Sequence, residues 1–131
     1  MAESETLRKG RELRRQLMGD AYVERINQTV YADPIMKKFV DVASETVFGA
    51  LWTRPGLDLK TRSMLTVAAL TVLGKDDYLR RHIQGALHVG VTPEELKEIL
   101  MQMAFYGGIP CALKGLRIAH EEITAREQAR G

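Results

Sequence analysis

Apolar residues recur every three to four positions along almost the whole chain, and no stretch alternates apolar with polar as a strand would. The pattern predicts an all-α protein of six or seven helices. A highly charged first helix is expected over roughly Glu5–Leu17, stopping near Met18-Gly19-Asp20, and a short second one over roughly Tyr22–Gln28. Asp33-Pro34 supplies a cap and a first-turn proline for the third, whose apolar stripe is Met36, Phe39, Val40, Ala43 and Val47. Asp58 caps a central helix to about Leu73. Its Leu59, Met64, Leu65, Val67, Ala68, Leu70, Val72 and Leu73 leave almost no polar face, so protein must surround it. After Gly74-Lys75-Asp76 a helix runs from about Asp77 to Val89, with Leu79, Ile83, Ala86 and Leu87 inward. Thr92-Pro93-Glu94-Glu95 has the form of a capping box, and the helix it starts ends at Tyr106-Gly107-Gly108. Pro110 opens a last helix to about Ala125, followed by a polar tail.

At 131 residues, 45% hydrophobic and 27% charged, the chain reads as one domain, 1–131, able to bury a core without disulfides or metal. The net charge is +2 and the basic residues are interleaved with acids, which argues against a nucleic-acid partner. Cys111 is the sole cysteine, which fits a reducing cytoplasm. Glu3 and Glu5 stand where a signal peptide would be apolar, and no segment approaches membrane-spanning length. Beyond the central helix, Met101, Phe105 and Ile118 lie off their stripes. This surplus apolar surface predicts a homo-oligomer, because obligate interfaces resemble a core cut in half.

The candidate chemistry begins in the run from Leu51 to Ser63, where Trp52, Arg54 and Arg62 flank the rigid Pro55-Gly56 turn. His82 follows on the next helix. Guanidiniums that bind carboxylates bidentately, with an imidazole that moves a proton, point to a small acidic molecule. The same run also reads as a surface loop anchored by a buried tryptophan. His82 lies about 60° from Leu79 around the helix, at the stripe's edge, where it is poised for acid–base work or sits as a satisfied core-edge histidine. His88 falls on the opposite face near Arg81 and Gln84, a surface or interface position, and His120 beside Glu121 reads as solvated. Tyr106 shares the apolar side of its helix with Ile99 and Met103, as a core tyrosine or one whose hydroxyl reaches a cavity. Cys111, just after Pro110, reads as a packing cysteine more readily than as a nucleophile. No metal-ligand spacing occurs, and Gly107-Gly108 ends a helix rather than forming a phosphate loop.

Taken in order, Trp52-Thr53-Arg54-Pro55-Gly56-Leu57-Asp58, Thr61-Arg62-Ser63, His82, Gly90-Val91-Thr92-Pro93-Glu94-Glu95-Leu96 and Tyr106-Gly107-Gly108-Ile109-Pro110 resemble the carboxymuconolactone decarboxylase family. The resemblance runs from about Gly10 to Glu122 and includes Gly19-Asp20. It implies the all-helical fold shared with the alkylhydroperoxidase D-like proteins, a ring-shaped homo-oligomer (trimer or hexamer), and a cytoplasmic, cofactor-independent lyase of aromatic-acid breakdown through the β-ketoadipate route. The residues implied are His82, Arg62 and Tyr106 for catalysis, with Trp52, Arg54 and His88 for substrate binding, and no metal. Relatives in peroxide defence use a CxxC followed by a histidine; Lys75 and Tyr78 stand at those two cysteine positions here.

In the implied reaction the departing carboxylate lies on a ring carbon conjugated with a lactone carbonyl, so the carbanion delocalises without a cofactor electron sink. Arg54 or Arg62 suits the second carboxylate or the developing oxyanion, and protonated His82 suits proton delivery. Three places depart from the family pattern. Ala50 stands for a glutamate, His88-Val89 for asparagines, and Leu113 near a further asparagine. These departures leave open a fold relative acting on another small carbonyl acid, or an alkylhydroperoxidase-like stress protein without its CxxC.

Overall fold

The structure, a computed structural model, describes residues 3–130. Among them are α1 (Glu5–Met18), α2 (Asp20–Gln28), α3 (Pro34–Ala43), a π-helix (Ser44–Trp52), α4 (Leu59–Leu73), α5 (Asp76–His88), α6 (Pro93–Gly107) and α7 (Ile109–Arg130), with no strand. They form two compact units, one up to Leu59 and one from Lys60.

The N-terminal unit is built on a close crossing of α1 with the π-helix. A Cβ at Gly10 would overlap the Ser44 carbonyl oxygen, and one at Gly49 would overlap that of Thr6, so backbone meets backbone at both points. Ser4 caps α1 by accepting from the Leu7 N–H at 3.0 Å, and Asp33 caps α3 by accepting from Met36 at 3.0 Å. Gly19, with φ of 88°, separates α1 from α2 in a conformation that a side chain would strain. The π-helix was not foreseen: apolar spacing predicts a helical stretch but not its hydrogen-bond pitch. The stripe expected on the third helix is also corrected. Met36, Val40 and Ala43 are half-buried, whereas Phe39 and Val47 are exposed.

The C-terminal unit holds the main hydrophobic cluster. Val67 of α4, Leu79, Ile83, Ala86 and Leu87 of α5, Leu96 and Leu100 of α6, and Ile118 and Ala119 of α7 meet there, with Val91. Thr92 and Glu95 form the capping box in full, and Gly108 ends α6 at a φ of 97°. Arg80 bonds Glu122 at 2.6 Å, and Gln84 donates to the same carboxylate at 2.7 Å, tying α5 to α7. The last helix runs to Arg130 rather than to about Ala125, because Ala, Arg, Glu and Gln in the tail are all good helix formers.

Within a single chain the central helix is only partly enclosed. Only Ser63, Val67 and Thr71 of α4 are buried, while Leu65, Val72 and Leu73 face outward. On its buried side, a Cβ at Gly115 of α7 would lie 2.9 Å from Leu100 and 3.2 Å from Thr71. Ile118 belongs to the core rather than to a surplus surface, but Phe105 is 89% exposed and Met101 is exposed beside it in sequence register.

Candidate active site

His82 is set by the stripe of α5. Leu79, Ile83, Ala86 and Leu87 are buried, and His82 is half-buried at the stripe's edge with its Nδ1 shielded from solvent. Burial disfavours the imidazolium and pushes the pKa from 6.5 down to about 4, with the Arg81 charge acting in the same direction. The ring is therefore neutral at neutral pH, which corrects the expectation of a standing protonated donor. Desolvation, which spacing cannot measure, is the cause.

Arg62 lies in the first turn of α4, half-buried, with Nε shielded from solvent; its carbonyl accepts from Thr66 Oγ1 at 2.9 Å. Next to it, Ser63 is fully buried, and its Oγ has no hydrogen-bond partner among the described residues. A buried hydroxyl left unsatisfied costs about 1–3 kcal/mol, which sets Ser63 apart from the other hydroxyls of α4. Sequence reasoning gave Ser63 no role. The available signal was a small polar residue at the junction of the polar first turn Lys60-Thr61-Arg62 with the mainly apolar remainder of the helix. The start of α4 is held by Lys60, whose Nζ lies 3.0 Å from Glu95 Oε1 at the start of α6. The Glu95 carboxyl sits below its ordinary pKa because it accepts from the Thr92 N–H and from Lys60.

The remaining candidates divide by exposure. Trp52 is buried in the N-terminal unit, its ring 5.7 Å from that of Phe48. Arg54 is exposed just after the π-helix. His88 is exposed at the last residue of α5, and His120 is exposed on α7. Tyr106 is 77% exposed, which corrects its assignment to the buried side of its helix. Leu96 and Leu100 form the buried side instead. The Cys111 thiol donates to the Gly108 carbonyl at 3.1 Å, the contact of a packing cysteine. Lys75 and Tyr78 are exposed, as are Ala50, His88 and Leu113. Among the described residues no three His, Cys, Asp or Glu side chains gather to hold a metal, and no helix is long and apolar enough to cross a membrane. Among the polar side chains of the C-terminal unit that are buried or half-buried are the His82 imidazole, the Arg62 guanidinium and the Ser63 and Thr71 hydroxyls; an imidazole can exchange a proton and a guanidinium can bind an anion.

Residues 37–121 match the model of the carboxymuconolactone decarboxylase family. The chain is 32% identical to the 4-carboxymuconolactone decarboxylase of Acinetobacter baylyi over 121 residues, 92% of this chain and 89% of that protein. It is also 32% identical to the nitrosuccinic acid decarboxylase of Metarhizium robertsii over 116 residues, 87% of this chain and 78% of that one. An uncharacterized 15.0 kDa protein of Paracoccus denitrificans is 37% identical over 99 residues, 74% of this chain and 67% of its own length.

Proposed function

Because the chain belongs to the carboxymuconolactone decarboxylase family, we propose that it is a cofactor-independent decarboxylase of a small acid carrying at least two acidic groups. The two relatives named as decarboxylases share one chemical requirement. Breaking the C–C bond to carbon dioxide leaves an electron pair that a neighbouring group accepts, a conjugated lactone carbonyl in one case and a nitro group in the other. The substrate is its own electron sink, so the protein has to grip the acid, stabilise the oxyanion and return one proton to carbon.

The observation that carries this reading is the shielded neutral imidazole of His82. A bare neutral imidazole is a poor acid, but an arriving polyanion favours the charged form and draws a proton onto the ring. His82 then delivers that proton to the carbanion carbon once carbon dioxide has left. Between the two arginines, Arg62 is favoured over exposed Arg54 for the grip, since a partly desolvated guanidinium interacts more strongly. Its place is on the retained carboxylate or the developing oxyanion; gripping the departing carboxylate would stabilise the ground state and oppose the reaction. Arg54, Trp52, His88 and Tyr106 are assigned no chemical step. The exposed Phe105, Tyr106, Ile109 and Leu113 support a homo-oligomer as the working form. A thiol-dependent peroxidase is not favoured, because a dithiol cycle needs an attacking and a resolving sulfur and the chain has only Cys111.

The decisive assay is carbon dioxide release from 4-carboxymuconolactone and from nitrosuccinate, tested separately. His82→Ala is expected to lower turnover by about 10²–10⁴ with little change in substrate affinity, the signature of lost general acid–base catalysis. Full activity in that variant on the better substrate rejects the mechanism. Turnover of neither acid removes both relatives' substrates and leaves another small carbonyl acid as the alternative.

A further inference from the structure

The C-terminal unit carries two adjoining depressions along the second half of α7. The larger, of about 570 Å³, lies between α6 and α7 and is within the size range of small-molecule sites. Leu116, Ala119 and Ile123 of α7 and Pro93 of α6 make its apolar part. The smaller, of about 240 Å³, has room for little more than a headgroup. It is lined by Leu87, Val91 and Pro93 with Ile123, Arg126 and Arg130. The two share Pro93, Ile123 and Glu127, and none of Arg62, His82 or Tyr106 takes part in either.

Helical geometry joins the two depressions. At about 100° per residue, Leu116, Ala119, Ile123, Arg126 and Arg130 fall within about 80° of one another around α7. One stripe of the helix thus passes from apolar to cationic over about 21 Å. The spacing of Arg126 and Arg130 sets two like charges side by side, an unfavourable arrangement that an anion between them would relieve. The ion pairs of α7 use Glu121, Glu122 and Lys114, and among the described residues none reaches Arg126 or Arg130. Arg130, in the last turn, complements the helix dipole whatever else it does. Arg126 stands a turn earlier and is half-buried, so its charge is partly desolvated without a paired carboxylate. Glu127 is exposed, and one carboxylate against two guanidiniums leaves this end net positive. In the larger depression Lys97 lies 3.1 Å from Glu94, so that rim carries a neutralised pair.

We infer that the two depressions form one site for a small amphiphilic acid, its single carboxylate held between Arg126 and Arg130 and its hydrocarbon chain laid along Ile123, Ala119 and Leu116. From Arg126 back to Ala119 is about 10 Å of helix, the reach of a medium-length chain. The test is titration calorimetry of the full chain at low ionic strength, with butanoate, hexanoate and octanoate as separate probes. Octanoate should bind saturably at one per chain. Each two-carbon extension should tighten binding about fivefold or more, as for partial burial of two methylenes. Octylamine, of equal length and opposite charge, should bind at least about tenfold more weakly than octanoate. The double variant Arg126→Gln, Arg130→Gln should weaken octanoate binding at least about tenfold, and glutamine keeps the helix end intact. Arg62→Gln should leave octanoate binding unchanged. If the double variant fails to fold, Arg130→Gln alone, at an exposed side chain, should still weaken binding about threefold or more. No saturable binding of octanoate overturns the proposal, as do affinities independent of chain length or equal binding of octylamine. Binding that survives the arginine changes on α7, or is lost in Arg62→Gln, overturns it as well.

Discussion

At His82 desolvation governs both chemistry and stability. The ring's pKa is 6.5 when solvated and about 4 in the fold. Between those values the unfolded chain binds a proton that the native chain does not, so stability rises with pH across this window. The contribution is whole above about pH 6.5 and is lost as the pH falls toward 4, amounting to about 3 kcal/mol at most. Urea midpoints measured from pH 7 to 4.5 should therefore fall more steeply for the wild type than for His82→Gln, which carries no titrating ring. Equal slopes would show that the imidazole is not desolvated. The same group supplies a binding test. An unreactive dicarboxylate binding at pH 7 should draw up a measurable fraction of a proton, read from calorimetry in buffers of different ionisation enthalpy, and His82→Gln should abolish that uptake. The helical spacing placed His82 on a stripe edge, but the sense of its pKa shift came from how much protein lies over it.

At the scale of elements, the crossing of α1 with the π-helix is the least tolerant joint. Adding a methyl at Gly10 forces it into the Ser44 carbonyl, which is backbone and cannot rotate away. Gly10→Ala should cost about 3 kcal/mol or more in urea unfolding, at the upper end for overpacking. Gly49→Ala meets the Thr6 carbonyl and should behave alike, whereas Gly56→Ala, with open space around it, should change stability by less than about 0.5 kcal/mol. Near-neutral Gly10 and Gly49 variants would mean that the two helices do not pass this closely. Neither glycine is conspicuous in the sequence, because each is required by a neighbour some forty residues away.

For the whole molecule, the unresolved balance is apolar surface. Phe105 and Ile109 are 89% and 74% exposed, and Leu65, Leu73, Met101 and Leu113 are exposed with them on α4, α6 and α7. Apolar surface on this scale marks an interaction site, and symmetric self-association is the commonest cover. Light scattering at micromolar concentration is expected to give a mass several times the 14.7 kDa of one chain. A Phe105→Glu variant should shift that mass downward, since it places a charge where an interface must be desolvated. A wild-type monomer would reject the homo-oligomer.

Helix starts and stops were legible in the sequence because each is a short-range device. Asp33, Thr92 and Gly108 satisfy backbone groups within four residues of themselves, and no distant partner enters. The family was legible for a related reason, since its motifs are runs of adjacent residues. Which face of α4 turned inward was not, because apolar residues on every side give periodicity nothing to select, and the choice fell to the packing of Val67 into the cluster formed with α5, α6 and α7. The π-helix, the exposure of Tyr106, the burial of Ser63 and the neutral state of His82 belong with that choice. Each depends on which side chains from distant segments exclude water at one point, a property of packing that residue order determines only through the folded chain.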